Sequence, residues 1–250
     1  MSGAEVSLEQ GHRRCPSCRE ANPAQSRFCS SCGARLDDRT SPREERKLVS
    51  VLFVDLVGFT ARSDGADPED VRESLQLYHA EAKRRIEQFG GVLEKFIGDA
   101  VMAVFGAPVA HGDDAERAVR AGLRVLEGIE ELNREHGLEL AARAAVNTGE
   151  AVVSVDMAPA GALATGDVVN TASRLQSAAP SGRLIVGAET YRATRQAIRY
   201  EESSPVEAKG KAQAVTAWLA IEPSASPAER SVAAQVLVGR SRELELIRSI

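Results

Sequence analysis

Ten residues, LVSVLFVDLV from Leu48 to Val57, are apolar apart from Ser50 and Asp55 and rich in β-branched side chains. A run so short and so apolar fits a central strand covered on both faces, since a half-exposed strand would alternate polar and apolar positions. Asp55 interrupts it. A carboxylate there is expensive unless something pairs with it, so it is either neutralised by a cation or lies at the strand's exposed end. Gly58, Phe59 and Thr60 then turn the chain.

The pattern around this strand sets the fold class. Apolar residues at Val71, Leu75, Tyr78, Ala82, Ile86 and Phe89 share one helix face, and Asp67 followed by Pro68 suits a helix start. GGVLEKFIGDAVMAVFGAP predicts two short strands joined at Ile97-Gly98-Asp99. A second amphipathic helix runs from about Asp113 to His136, with Ala115, Val119, Gly122, Leu126 and Ile129 on its apolar face. LELAARAAVNTGEAVVSV predicts a long strand, DVVNTASRLQ a third helix and RLIVG another strand, and a strand or hairpin around Lys209 to Ile221 closes the domain. The order β-α-β-β-α-β predicts an α+β protein with a ferredoxin-like core and C-terminal extensions.

All four cysteines fall in one short segment, Cys15 and Cys18 in CPSC and Cys29 and Cys32 in CSSC. Two Cys-x-x-Cys knuckles can wrap one Zn²⁺, and Gly33 suits the tight turn that aims amides at sulfur. A disulfide pair or a redox motif is the alternative, disfavoured by a reducing compartment and by the lack of a βαβ pattern around either knuckle. The segment resembles bacterial zinc ribbons, in which one structural Zn²⁺ supplies the folding energy. The ribbon's partner is unknown from sequence.

The expected divisions are a disordered terminus at 1–12, the ribbon at 13–36, a linker at 37–46, the main domain at 47–221, a second linker at 222–234 and the start of a truncated further domain at 235–250. The last segment is similar to the opening of a signalling ATPase domain, although no GxxxxGK[ST] loop occurs. The 31 Lys and Arg against 36 Asp and Glu give a net charge of −5, which argues against a nucleic-acid coat or a polybasic membrane anchor. No apolar run approaches the roughly 20 residues that span a bilayer, and no signal peptide is visible, so a cytoplasmic location without membrane or nucleic-acid partners is expected.

Asp55 ends one strand and Asp99 tips the neighbouring hairpin. Converging carboxylates of this kind make a hard-cation site, and with a nucleotide's phosphates they would hold one or two Mg²⁺ or Mn²⁺ ions. The turn from Leu56 to Thr60 offers backbone amides to a polyphosphate. Taken alone, Asp99 could equally be the polar residue of a Gly-Asp turn.

FVDLVGFT, KFIGDAVMAVFG, NTGEAV, GDVVNTASRL and KGKAQAV, in this order, resemble the catalytic domain of class III nucleotidyl cyclases over about Arg46 to Ile221. Diguanylate cyclases share the core, but their GGDEF-type signature is absent. The resemblance implies that Asp55 and Asp99 hold two Mg²⁺ or Mn²⁺ ions per site and that Lys95 reads the purine. It implies that Asn170 orients the ribose, that Arg174 stabilises charge on the α-phosphate, and that Lys209 or Lys211 contacts phosphate, with Phe59 and Thr60 in the phosphate-binding turn. It also implies conversion of ATP or GTP to the 3′,5′-cyclic nucleotide by a homodimer with active sites at its interface. The sequence departs from the family at Leu163, where an Asp or Thr completes purine selection; Thr165, two residues on, is the candidate substitute. A catalytically weak or silent nucleotide-sensing dimerisation module is therefore the alternative. No role falls to His12, His79, His111 or His136.

Overall fold

The computed structural model describes residues 12–15, 17–34, 36, 44–59, 65–154, 164–203, 206 and 215–224. Two units divide the chain between Arg43 and Glu44. The first holds β1 (His12–Arg14) and β2 (Ala21–Pro23), paired antiparallel. His12 thus belongs to a strand rather than to the expected disordered terminus.

The second unit opens with β3 (Glu44–Leu56), which begins before the apolar run and takes in Glu44 to Arg46 from the expected linker. Its early residues alternate exposed and half-buried while every one pairs with a later strand, so register extends the strand where hydrophobicity alone does not. There follow α1 (Pro68–Gln88), β4 (Val92–Ile97), β5 (Ala100–Phe105), α2 (Asp114–His136) and β6 (Ala142–Ser154). The unit continues through β7 (Ala164–Thr165), α3 (Asp167–Ala178), β8 (Leu184–Gly187), α4 (Ala188–Thr194), β9 (Ile198–Glu202) and β10 (Ala217–Pro223). Strand order is β4-β5-β3-β6-β8-β10-β9, with β7 added to β6. The first four are the ferredoxin-like core, and the parallel β6–β8 pair carries the extension.

β3 shows why its run is apolar almost throughout. Leu52, Val54 and Leu56 enter one core cluster with Tyr78, Ala82 and Ile86 of α1 and Ala118, Val119 and Val125 of α2. Val49, Val51 and Phe53 enter another with Met102, Val104, and Val168 and Ala172 of α3. Helices thus cover both faces, and neither set of alternate positions meets water. Asp67 caps α1 by accepting from the Glu69 amide at 2.8 Å. Ser50 is answered by Thr148 at 2.8 Å, and Thr148 by Thr190 at 2.9 Å, so the polar groups of the NTG segment form a satisfied interior chain.

Gly122 marks the closest approach of α2 to the sheet. A Cβ there would collide with the fully buried Leu184 and come within 3.1 Å of Leu52. Gly122→Val should therefore lower unfolding free energy by about 2 kcal/mol, because overpacking of about 1–3 kcal/mol outweighs a helix-propensity gain of about 0.4 kcal/mol. A urea titration read by circular dichroism checks this.

The short elements α4, β7 and β9 have no counterpart in the expected order. Residues 225–250, with the expected further domain and most of its linker, lie outside the described residues.

Candidate active site

Asp55 sits one residue from the end of β3, directly across from Arg143 of β6. Its Oδ2 accepts from Arg143 Nη2 at 3.1 Å, Arg143 Nε at 3.3 Å and Gln176 Nε2 of α3 at 2.8 Å. Arg143 Nη1 also donates to the Ser177 carbonyl at 2.7 Å, so one guanidinium ties the strand carboxylate to the end of α3. Of the two sequence expectations for Asp55, a pairing cation is the one found, in Arg143; the carboxylate lies near the strand end but is only 17% exposed. Arg143 and Gln176 themselves were not anticipated. The only signal was a lone arginine within AARAAV.

Asp99 occupies the two-residue loop between β4 and β5, where Gly98 takes φ +64° as the first central position of such a hairpin demands. Partial burial, together with the charge of nearby Asp55, holds the Asp99 carboxyl above the usual carboxylate range. Burial first, then the same two aspartates, raise the Tyr78 phenol well above its ordinary value. The two carboxylates therefore share one electrostatic neighbourhood floored by Tyr78. All three donors to Asp55 among the described residues go to Oδ2, which leaves Oδ1 for a cation. Arg143 offsets part of the repulsion between them, and a pair of hard oxygen donors of this kind fits Mg²⁺ or Mn²⁺.

His79 is not the free surface group that its helical position suggests. Its ring stacks on Phe96 with centroids 4.0 Å apart. Desolvation lowers its pKa against the opposing pull of the Gly98 backbone and of Asp99. It braces the hairpin tip that carries Asp99.

Lys95 pairs with Met102 across the β4–β5 ladder and so lies on the face where Met102 packs with Val168 and Ala172 of α3. Its side chain is 47% exposed, and its ammonium stands 3.2 Å from Oε1 of Glu94, which is 4% exposed. Asn170 and Arg174 fall one turn apart on α3, away from the buried Val168, Thr171, Ala172 and Leu175. Among the described residues neither side chain has a hydrogen bond or ion pair within the chain. Thr165 is exposed, its hydroxyl directed at the Val152 carbonyl at 3.5 Å. Phe59 packs at the edge of the main core. Thr60, Leu163, Lys209 and Lys211 lie outside the described residues.

In the first unit the four Sγ atoms lie within 4.8 Å of one another, with Cys15–Cys32 at 3.6 Å and Cys18–Cys29 at 3.5 Å. No disulfide forms among them. A tetrahedron with metal–sulfur bonds of about 2.3 Å has edges of about 3.8 Å, so the cluster is about the size of one tetrahedral thiolate site. The knuckles are built alike: Arg19 (φ 64°) and Gly33 (φ 72°) each close a turn by donating to the first cysteine's carbonyl, at 2.9 and 3.0 Å. Backbone amides of Cys32 and then Ser31 help bring the Cys29 thiol down to about 6.

One eight-stranded mixed sheet with helices on both faces makes the second unit an α+β domain of the class III cyclase fold. Residues 42–221 match the adenylate and guanylate cyclase catalytic domain, and the chain belongs to that family. Adenylate cyclase 1 of Rhizobium meliloti is 38% identical over 137 residues, covering 52% of this chain and 21% of that protein. The chain therefore spans about a fifth of that relative's length. The crystal structure of the adenylyl cyclase CyaB from P. aeruginosa aligns with TM-score 0.67 and 30% identity, covering 72% of this chain and 96% of that one. That of the guanylyl cyclase Cya2 aligns with TM-score 0.68 and 30% identity, covering 73% and 95%. No helix among the described residues is long and apolar enough to cross a membrane.

Proposed function

We propose that this chain converts ATP, and GTP less well, to the 3′,5′-cyclic nucleotide and pyrophosphate in the cytoplasm, as a homodimer with its sites at the interface. The observation that supports the reading is the register of β3 with β5, in which Val54 pairs with Val101 and the strand end carrying Asp55 lies beside the hairpin tip carrying Asp99. Two Mg²⁺ or Mn²⁺ ions bound there would supply acidification of the ribose 3′-hydroxyl and neutralisation of the triphosphate.

The remaining work falls to the chain's own groups. Asp55 and Asp99 hold the cations, Arg143 and Gln176 keep Oδ2 of Asp55 fixed, and amides of the turn through Phe59 and Thr60 receive phosphate oxygens. Lys95 donates to the purine edge and Asn170 orients the ribose, so that the 3′-oxygen lies in line with the α-phosphorus. As the new O–P bond forms and the bond to pyrophosphate breaks, Arg174 meets the charge growing on the α-phosphate, with Lys209 or Lys211 on the phosphates. The four thiolates of the first unit would bind one structural Zn²⁺ in a zinc ribbon.

The test is direct measurement of cyclic nucleotide from ATP and from GTP, in Mn²⁺ and in Mg²⁺. Absence of product under all four conditions leaves the second reading, a nucleotide-sensing dimer, which Leu163 favours. Leucine cannot accept a hydrogen bond from a base, and an apolar wall discriminates by roughly 10- to 100-fold at most. ATP should thus be preferred only modestly, and Leu163→Asp should widen the preference. Native exclusion of GTP beyond about 10⁴-fold would place selectivity elsewhere.

A further inference from the structure

Among the described residues, two buried side-chain polar atoms lack a hydrogen-bond partner, His79 Nε2 and Glu94 Oε1, and the second belongs to a carboxylate. A carboxylate oxygen at 4% side-chain exposure is costly unless answered. Lys95 answers it as an ion pair at 3.2 Å, outside the angles of a hydrogen bond. The other oxygen, Oε2, accepts from the Ala164 amide at 3.3 Å. A regular strand would send residues 94 and 95 to opposite faces. The ladder between β4 and β5 shifts register between Leu93 and Lys95, and this bulge at Glu94 lets the consecutive side chains meet on one face. One carboxylate thus grips the purine-facing lysine and the backbone directly after position 163, the two places from which base selection is expected.

We infer that Glu94 is a positioning residue for base selection, fixing the Lys95 ammonium and the start of β7 so that the site prefers adenine to guanine. The inference deepens the cyclase reading and rests on its assignment of Lys95 to the purine. An ammonium held at the base's N1 finds a bare acceptor on adenine and an N–H on guanine, and two facing donors repel. Once released, the same ammonium can swing to guanine's O6. The tether therefore sets the preference, while the lysine alone tolerates both bases.

The experiment titrates the full chain with 3′-deoxy-ATP, 3′-deoxy-GTP and tripolyphosphate in Mn²⁺ by calorimetry; the deoxy nucleotides lack the attacking hydroxyl. The native chain should prefer 3′-deoxy-ATP by about tenfold. Glu94→Gln keeps an acceptor for the Ala164 amide but loses the charge on Lys95, and should bring the preference to near unity while leaving tripolyphosphate within about twofold. In a Lys95→Met background the same change should have no further effect on preference, because Glu94 acts through the lysine. Glu94→Asp keeps the charge but loses reach, and should also lose the preference; if the glutamine variant fails to fold, the aspartate variant supplies the same comparison. An unchanged preference in a folded variant, a proportional loss of tripolyphosphate binding, or a native chain that binds neither nucleotide overturns the inference. A Glu94-dependent preference in a chain that makes no cyclic nucleotide removes the cyclase reading and leaves this one standing. Turnover with a Glu94-independent preference does the reverse.

Discussion

Asp55→Ala, inactive alone, and Arg174→Ala, nearly inactive alone, should recover roughly a quarter of native cyclase activity when mixed in equal amounts and allowed to exchange. The first variant loses a cation-holding carboxylate, the second a positive charge worth several kcal/mol to the transition state. Neither defect can be repaired within a chain. Asp55 is engaged by Arg143 and Gln176 of its own chain. Asn170 and Arg174, by contrast, stand one turn apart on the face of α3 turned away from its buried side, with no partner among the described residues of their own chain. If two sites form across a two-fold axis, each drawing its aspartates from one protomer and its lysine, asparagine and arginine from the other, a mixed dimer has one doubly damaged site and one intact site. About half of the dimers are mixed, each with one good site of two. A mixture as inactive as its components, after sedimentation has shown that subunits exchanged, rules out a shared site.

Removal of the expected Zn²⁺ should unfold the first unit and leave the second intact. Among the described residues, the buried apolar cluster of the first unit consists of Cys15, Cys29 and Leu36, with Ala34 against it, and its strands have three residues each. So small a cluster does not offset the conformational entropy of ordering the segment, whereas a structural zinc site contributes about 10–16 kcal/mol. The main clusters of the second unit draw on residues from Val49 onward. Metal analysis should find about one zinc per chain. Cys29→Ser should release it, expose residues 12–36 to proteolysis and leave the core's melting temperature unchanged. Reduced protein without zinc, or a core that melts with the ribbon, contradicts the expectation.

Long periodic elements were legible because their partners are written into their own spacing. β3 is apolar at both parities since helices lie on both sides, and Tyr78, Ala82 and Ile86 recur at helical intervals because one stripe of α1 is buried. The less legible features depend on register. The pairing of Asp55 with Arg143 joins positions 88 apart, set only once β3 and β6 align over thirteen residues. The Glu94 bulge exists only relative to β5. α4, seven residues long, and β9, with its IRYEE pattern, give too few periods to separate from loop. The place of His79 on α1 suggests a solvated ring, and only the returning hairpin stacks Phe96 on it.

The guanidinium of Arg143 bonds a side chain of β3 and the main chain of α3 at once. Mechanically this is a rigid strut. Sliding α3 by a bond length would break the hydrogen bond at Ser177 or drag the Asp55 carboxylate with it, so displacement of the helix bearing Asn170 and Arg174 would be felt at Asp55 of the same chain. Two sites related by symmetry would then be geared together: a shift that tightens the α3 half of one alters the aspartate half of the other.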